Sequence, residues 1–369
     1  MSDITIVLPF GLPPAELAPD LLRALELPAL AMLLARSDPT PLVGSKAARR
    51  AGIIAEPSDA FARALPHETW LAQRFDLHAA TGSSPAVAIA LMATQMGAPP
   101  EGFWFIVTPV HFHVARDHLV LTDLRALALT DTDAEELFAA ALPSFEEAGL
   151  TLRFGRADCW FVRADDWRAL VTATPDATCG HNIDIWMPQG ATARAWRKLQ
   201  NAVQMDWHDH AVNAARAADG LQTINSLWLW GGADAASLPS PRADLAIAGF
   251  DGWFSAMTAC TAKTVSADDL PGLFDAKPRS LLLKDSLIAP ALANDWATWL
   301  DDLRIIEQDC FVPLLSALRD GVLDSLQVVL GNATSLDAWT VRRSSLRRFW
   351  RKPSLTRLRT RTASAGETA

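Results

Sequence analysis

Residues 193–232 read ARAWRKLQNAVQMDWHDHAVNAARAADGLQTINSLWLWGG. Trp196, Leu199, Val203, Trp207 and His210 recur at steps of three and four, the stripe that an amphipathic helix turns toward a core. The spacing predicts a helix from Ala193 onward, closed by Gly220. Residues 224–230 then form a short apolar and aromatic run of strand length. Gly231 and Gly232 follow at its end, where open α/β sheets place ligand loops. A helix feeding a buried strand and a glycine turn predicts an α/β fold.

The same alternation extends in both directions. Residues 4–11 are an apolar run that ends in Pro9, Phe10 and Gly11, which reads as a buried first strand breaking into a loop. Leu21, Leu22, Leu25, Leu30, Leu33 and Leu34 keep helical spacing, with a break at Pro28. Residues 37–66 are mixed and read as loop, before a helix carrying Trp70 and Leu71. Residues 103–114 and 119–122 are strand-like, hinged at Arg116 and Asp117 as a hairpin. An acidic helix over residues 131–148, capped by Thr130 or Thr132, precedes strands at 150–154 and 159–162. That β-β-α-β-β order suggests a compact α+β insert. Beyond residue 240, strand and helix alternate over 245–273. A strand at 280–283, a long helix at 294–318 and a strand at 326–330 follow. No internal repeat is present.

The 369 residues are half apolar and one-fifth charged, the balance of a globular chain with a large core. There are 14 Trp and no Tyr, so no phenol serves as nucleophile, acid or ligand. A net charge of −9 argues against nucleic-acid binding by the body of the protein. The C-terminal end differs: Arg342, Arg343, Arg347, Arg348, Arg351, Lys352, Arg357, Arg359 and Arg361 crowd together with Phe349 and Trp350. It reads as a solvated basic tail over 353–369, disordered in part, with an anionic-surface anchor as the competing reading. Phe349 and Trp350 are expected to dock on the core where order ends. Cys159, Cys179, Cys260 and Cys310 are widely spaced and suggest neither a zinc site nor a disulfide framework. No basic leader before an apolar run and no membrane-length apolar stretch is seen, so the cytoplasm is the expected address.

His210-Ala-Val-Asn213-Ala-Ala-Arg216, with Gly220, Asn225 and Gly231-Gly232, resembles the H-P-x-N-x-x-R, G, N and R-G-x-G pattern of archaeal-type cofactor-independent phosphoglycerate mutases. The chain is also similar to bacterial proteins named either phosphoglycerate mutase or regulatory protein of the RpfE type. That likeness is carried by Thr108-Pro-Val-His-Phe-His113, Asp117-His118, Asn182-Ile-Asp184-Ile-Trp186, Leu199-Gln-Asn-Ala-Val-Gln-Met205 and Asn225-Ser-Leu-Trp228. The resemblance implies an alkaline-phosphatase-like core sheet flanked by helices, in two parts over 1–101 and 190–352, with the smaller α+β insert over 102–189 contacting substrate. Where the family's first strand ends in a metal-binding Asp before Gly, this chain has Phe10-Gly11. Thr69 alone stands near the nucleophile position. The later metal cluster corresponds to residues 290–295, with at most Asp295, and to residues 331–335, which hold neither Asp nor His. A two-metal site needs several hard ligands converging on one point, so no catalytic residue, metal or cofactor is assigned.

The candidate ligand-binding residues are His111, His113, His210, Asn213, Arg216, Asn225, Gly231 and Gly232. His111 and His113 alternate across Phe112 and, with His118 nearby, suit either a transition metal or hydrogen-bonded structural roles. Asn213, Arg216 and Asn225 suit a phosphate or carboxylate near the glycines, or a tie between helix and loop. Gly44-Ser45-Lys46 is too short a coincidence to mark a hydrolase. The expected function is that of a mutase-like binding or regulatory protein without catalysis. The alternative is a phosphomutase or phosphatase-type enzyme with an altered site, acting on a small phosphorylated metabolite. The sequence names no protein partner.

Overall fold

The computed structural model describes residues 3–42, 61–79, 82–97, 101–276 and 279–359. Gly44-Ser45-Lys46 and residues 360–369 lie outside the described residues. Thirteen strands occur among the described residues: β1 (Asp3–Leu8), β2 (Asp38–Pro39), β3 (Trp104–Val110), β4 (Phe112–Ala115), β5 (His118–Leu121), β6 (Thr151–Arg156), β7 (Cys159–Arg163), β8 (Ser226–Ala233), β9 (Arg242–Ala248), β10 (Thr261–Val265), β11 (Arg279–Leu283), β12 (Ser325–Gly331) and β13 (Leu336–Arg342). The chain divides into two compact units, one of Met1–Ala48, Pro241–Gly252 and Cys260–Ala369, the other of Arg49–Ser240 and Trp253–Ala259. Among the described residues no helix is long and apolar enough to cross a membrane.

The first unit is built on a seven-stranded sheet in the order β10-β9-β11-β1-β12-β13-β2. The strands from β10 to β12 run parallel, β13 runs against them, and β2, antiparallel to β13, returns to their direction. Ile4 to Leu8 of β1 are all buried, because a central parallel strand is covered on both faces and reads as a continuous apolar run. This is the mixed α/β architecture, a mostly parallel sheet flanked by helices, that the alternation predicts. Pro28 marks the expected break, here between the helices Ala18–Arg23 and Pro28–Arg36, and starts the second of them, since a first-turn proline gives up only an amide that the helix leaves unpaired. The two amides that follow it, of Ala29 and Leu30, donate to buried Glu307 at 2.6 and 3.1 Å. The long C-terminal helix forms as Trp296–Ile306, a π turn at Glu307–Phe311, and Val312–Asp320.

The second unit centres on a four-stranded antiparallel sheet, β6-β7-β3-β8, beside the β4-β5 ribbon. Helices Asp131–Glu147 and Ala193–His208 pack on each other, and helix Ala88–Met96 packs against β3, β6 and β8. Tryptophan fills the interior: the Trp160 ring lies edge-on to Phe138 and Trp207 at 5.2 and 5.9 Å. The Trp207, Trp228 and Trp230 indole N–H groups donate to Leu137 O, Ala173 O and Thr108 Oγ1. Indole supplies large apolar area and one donor, so it suits a core that crosses backbone carbonyls.

Three sequence expectations change here. The insert boundary at residue 189 does not hold, because β8 pairs with β3 and so brings residues 190–233 into the second unit. The strand expected over 103–114 breaks at His111, and β4 leaves the main sheet to pair only with β5. The C-terminal anchor is also reversed. Phe349 and Trp350 are 81% and 67% exposed, whereas Leu358 is fully buried. Ser354 N donates to Ala31 O at 3.3 Å and Arg357 donates to Ser37 Oγ at 2.7 Å, so the chain is held beyond Lys352. Leu358, one backbone bond and several arginine side-chain bonds hold it where a pair of aromatics was expected to.

Candidate functional site

In an open α/β sheet the ligand side lies beyond the carboxyl ends of the parallel strands. In the first unit that edge begins with Phe10, after β1. Its φ of +56° places a non-glycine residue in the left-handed region, a costly conformation that clusters at functional sites. Its side chain is buried and its carbonyl accepts the Trp299 indole N–H at 2.9 Å. After β11, Lys284 Nζ lies 3.5 Å from Asp268. After β12, Asn332 Oδ1 accepts from the Thr334 and Ser335 amides at 2.9 and 2.8 Å and from the Ser335 hydroxyl at 3.0 Å. Asp295 caps the helix Trp296–Ile306, accepting from Thr298 N and Oγ1, and these bonds hold its carboxyl below the usual range. The groups named at this edge do not converge as a two-metal site needs: Asp268 lies beside the Lys284 ammonium, Asp295 is spent on its helix cap, and Phe10 and Asn332 supply a buried phenyl and an amide folded into its own turn. Among the described residues no group of three or more His, Cys, Asp or Glu side chains is placed to hold a metal ion.

The binding candidates named from the sequence all lie in the second unit, and nearly all are engaged internally. Asn213 donates to Trp207 O and Ile224 O at 2.9 and 2.8 Å and accepts from Ile224 N at 2.7 Å. Buried Arg216 donates to Gln222 O at 2.9 Å, to Asp133 at 3.4 Å and to Leu127 O. Asn225 pairs with both backbone groups of Phe112, at 2.7 and 3.0 Å. His210 is not on the stripe of the preceding helix. That helix ends at His208, and His210 caps the next one, Ala211–Ala218, accepting from Val212 N at 3.3 Å. His111 Nδ1 meets Thr223 O at 2.8 Å, and burial lowers its pKa. His113 is exposed.

Gly231 and Gly232 lie inside β8, not in a loop beyond it. The register with β3 shifts there, the mark of a bulge. Gly231 has a φ of +73° and donates its amide to Ser84 Oγ at 3.0 Å. A Cβ on Gly232 would stand 2.5 Å from the Phe105 ring. Both glycines are required by packing.

A polar cluster that the sequence did not signal lies elsewhere in the same unit. Helix Pro66–Arg74 begins with His67 and Glu68, both fully buried. Glu68 Oε2 accepts from Leu65 N at 2.7 Å and from the Thr174 hydroxyl at 2.6 Å, while buried Oε1 has no hydrogen-bond partner among the described residues. Burial, then the nearby Asp176 carboxylate, push the Glu68 carboxyl up to about 8. At neutral pH it is mostly the uncharged acid. Asp176 forms a two-pronged pair with Arg125 at 3.0 and 2.7 Å, and Arg125 also reaches Asp123 at 2.8 Å. Burial works against the Arg125 charge, but the two carboxylates outweigh it and raise its pKa. Burial, then the Arg125 charge, push His67 down to about 3. Burial, then Asp123 and Asp176, push the Cys179 thiol up to about 12. Thr69, the nucleophile candidate, lies inside the helix, with its amide bonded to Leu65 O at 3.0 Å. The only local signals for this cluster are two proline-led helix starts carrying an acid, Pro66 with Glu68 and Pro175 with Asp176. Nothing in their spacing joins residues 68, 125 and 176.

Solved structures that match the chain include two proteins from archaea. One is the cofactor-independent phosphoglycerate mutase from Thermoplasma acidophilum, with 15% identity over 93% of this chain and 90% of that chain, and a TM-score of 0.40. The other is the PH0037 protein from Pyrococcus horikoshii, with 12% identity over 92% of this chain and 87% of that chain, and a TM-score of 0.50. The second likeness shows a shared fold. No protein-family model matches the chain, and no curated protein does.

Proposed function

We propose that this chain is a phosphoglycerate-mutase-like protein that binds or regulates without mutase catalysis. One observation carries the reading. Phe10 keeps a left-handed turn at the end of the central strand, yet fills with a buried phenyl the place where the resembled mutases hold a metal-binding carboxylate. Strained backbone of this kind persists where a fold over-determines it, and here it carries a side chain that is no metal donor. The internal engagement of Asn213, Arg216 and Asn225 points the same way, because a guanidinium already bonded to two carbonyls has little left for a phosphate.

The test is an assay of 2- and 3-phosphoglycerate interconversion with added manganese, on the natural protein and on Phe10→Asp. Asp tolerates the left-handed region, so the variant is expected to fold. No turnover is expected from either, since a lone carboxylate does not hold two metal ions. Manganese-dependent interconversion by the natural protein would overturn the reading.

A second reading, an enzyme of altered chemistry on a small phosphorylated metabolite, is favoured by Glu68. A carboxyl held uncharged near neutral pH beside an Arg–Asp pair has the properties of a general acid. Phosphatase turnover lost in Glu68→Gln would support it over the first.

A further inference from the structure

Residues 342–359 carry eight Arg and Lys side chains and no acid. The rest of the chain must therefore carry −17 for the total to be −9. Arg342, Arg343, Arg347, Lys352 and Arg359 are exposed. The remaining three pin the segment in place. Arg348 and Arg351 share Asp38 at 2.7 and 3.5 Å, and Arg351 and Arg357 donate to Ser37 O at 3.1 and 3.2 Å. Between these pins Phe349 and Trp350 are exposed, ring edge to ring face with centroids 5.4 Å apart. Two large aromatic side chains thus stand in water on a fixed turn, ringed by cations.

We propose that this turn docks the protein onto the surface of an anionic lipid bilayer. Indole and phenyl groups settle at the headgroup level of a membrane, and cations beside them are drawn to acidic headgroups. Stable attachment takes two such signals together, and here they occupy one turn. The strongly acidic remainder is repelled by the same surface, which orients the basic turn toward it. A cleft of about 290 Å³ farther along the same segment is lined by Leu22, Arg23, Leu355 and Arg359 among others. A single-stranded nucleic acid fits less well, because stacking needs ring faces set out along a strand, and these two rings pack on each other. The inference goes beyond the proposed function and holds whether or not the protein catalyses a reaction.

The test is co-sedimentation of the full chain with vesicles of phosphatidylcholine alone and of phosphatidylcholine with phosphatidylserine. Binding is expected only to the anionic vesicles, with release as salt is raised. Phe349→Ala with Trp350→Ala, and separately Arg347→Glu with Lys352→Glu, should each weaken it at least about tenfold. Their thermal transitions should stay that of the natural protein, because all four side chains are exposed. Failure to bind phosphatidylserine vesicles, or undiminished binding by the aromatic pair of substitutions, overturns the proposal. Capture by a single-stranded oligonucleotide that the same substitutions abolish, without vesicle binding, overturns it in favour of nucleic acid.

Discussion

In the second unit, the tie around Asn213, Arg216 and Asn225 and the cluster around Glu68, Arg125 and Asp176 both take polar side chains out of water, but they are satisfied differently. Asn213 meets three backbone groups, and Arg216 spreads its donors over two carbonyls and a carboxylate. The bonds that a buried amide or guanidinium needs are made, so burial costs little and the result is rigidity. Glu68 has one oxygen without a hydrogen-bond partner among the described residues, and burial with the nearby Asp176 raises its pKa. A residue pattern that resembles a ligand site can thus be structural, while three residues with no recognisable pattern, Glu68, Arg125 and Asp176, meet as a cluster with shifted titration. What separates them is whether each polar atom already has a partner.

The largest expected effect tests the first side of that contrast. Arg216→Ala strands Leu127 O, Gln222 O and Asp133 and should lower stability by about 2–4 kcal/mol, measured by urea denaturation. An unchanged midpoint would mean that the guanidinium is available for a ligand after all.

The second prediction concerns pH. The folded carboxyl of Glu68 titrates at about 8 against an ordinary 4.5, so the folded state holds the extra proton between those values. The unfolded state does not, and stability therefore falls as pH rises through the window. Glu68→Gln keeps the acceptor for Leu65 and Thr174 and has no charge to bury. Its stability relative to the natural protein should improve by about 2–4 kcal/mol between pH 5 and pH 8. His67 works in the other direction: with a folded value near 3 against 6.5, it makes stability fall as pH drops below 6.5. Taking the difference between the two proteins cancels that contribution, and a pH-independent difference would refute the Glu68 account.

The smallest expected effect sharpens the contrast within the tie itself. Asn225 is half-buried and makes two bonds to Phe112, so Asn225→Ala should cost about 1 kcal/mol. A loss as large as that for Arg216 would show that the break in the strand at His111 depends on this one side chain.

The sequence by itself determined the elements and the fold class. Helical stripes, the continuous apolar run of β1 and the Arg116-Asp117 hinge are local patterns, and local patterns survive without knowledge of the partner strands. Only tertiary structure decided that β8 belongs with β3, since strand pairing across more than a hundred residues leaves no trace in periodicity. Tertiary structure likewise decided that His210 caps a new helix, that Leu358 and not Trp350 anchors the C-terminal segment, and that Glu68, Arg125 and Asp176 meet. A stripe at helical spacing reads the same whether the helix continues or restarts, and an exposed aromatic reads the same as a docked one. The physical reason is common to all of them: burial and pairing belong to the neighbours a residue meets in space, and those are fixed only once the whole chain has packed.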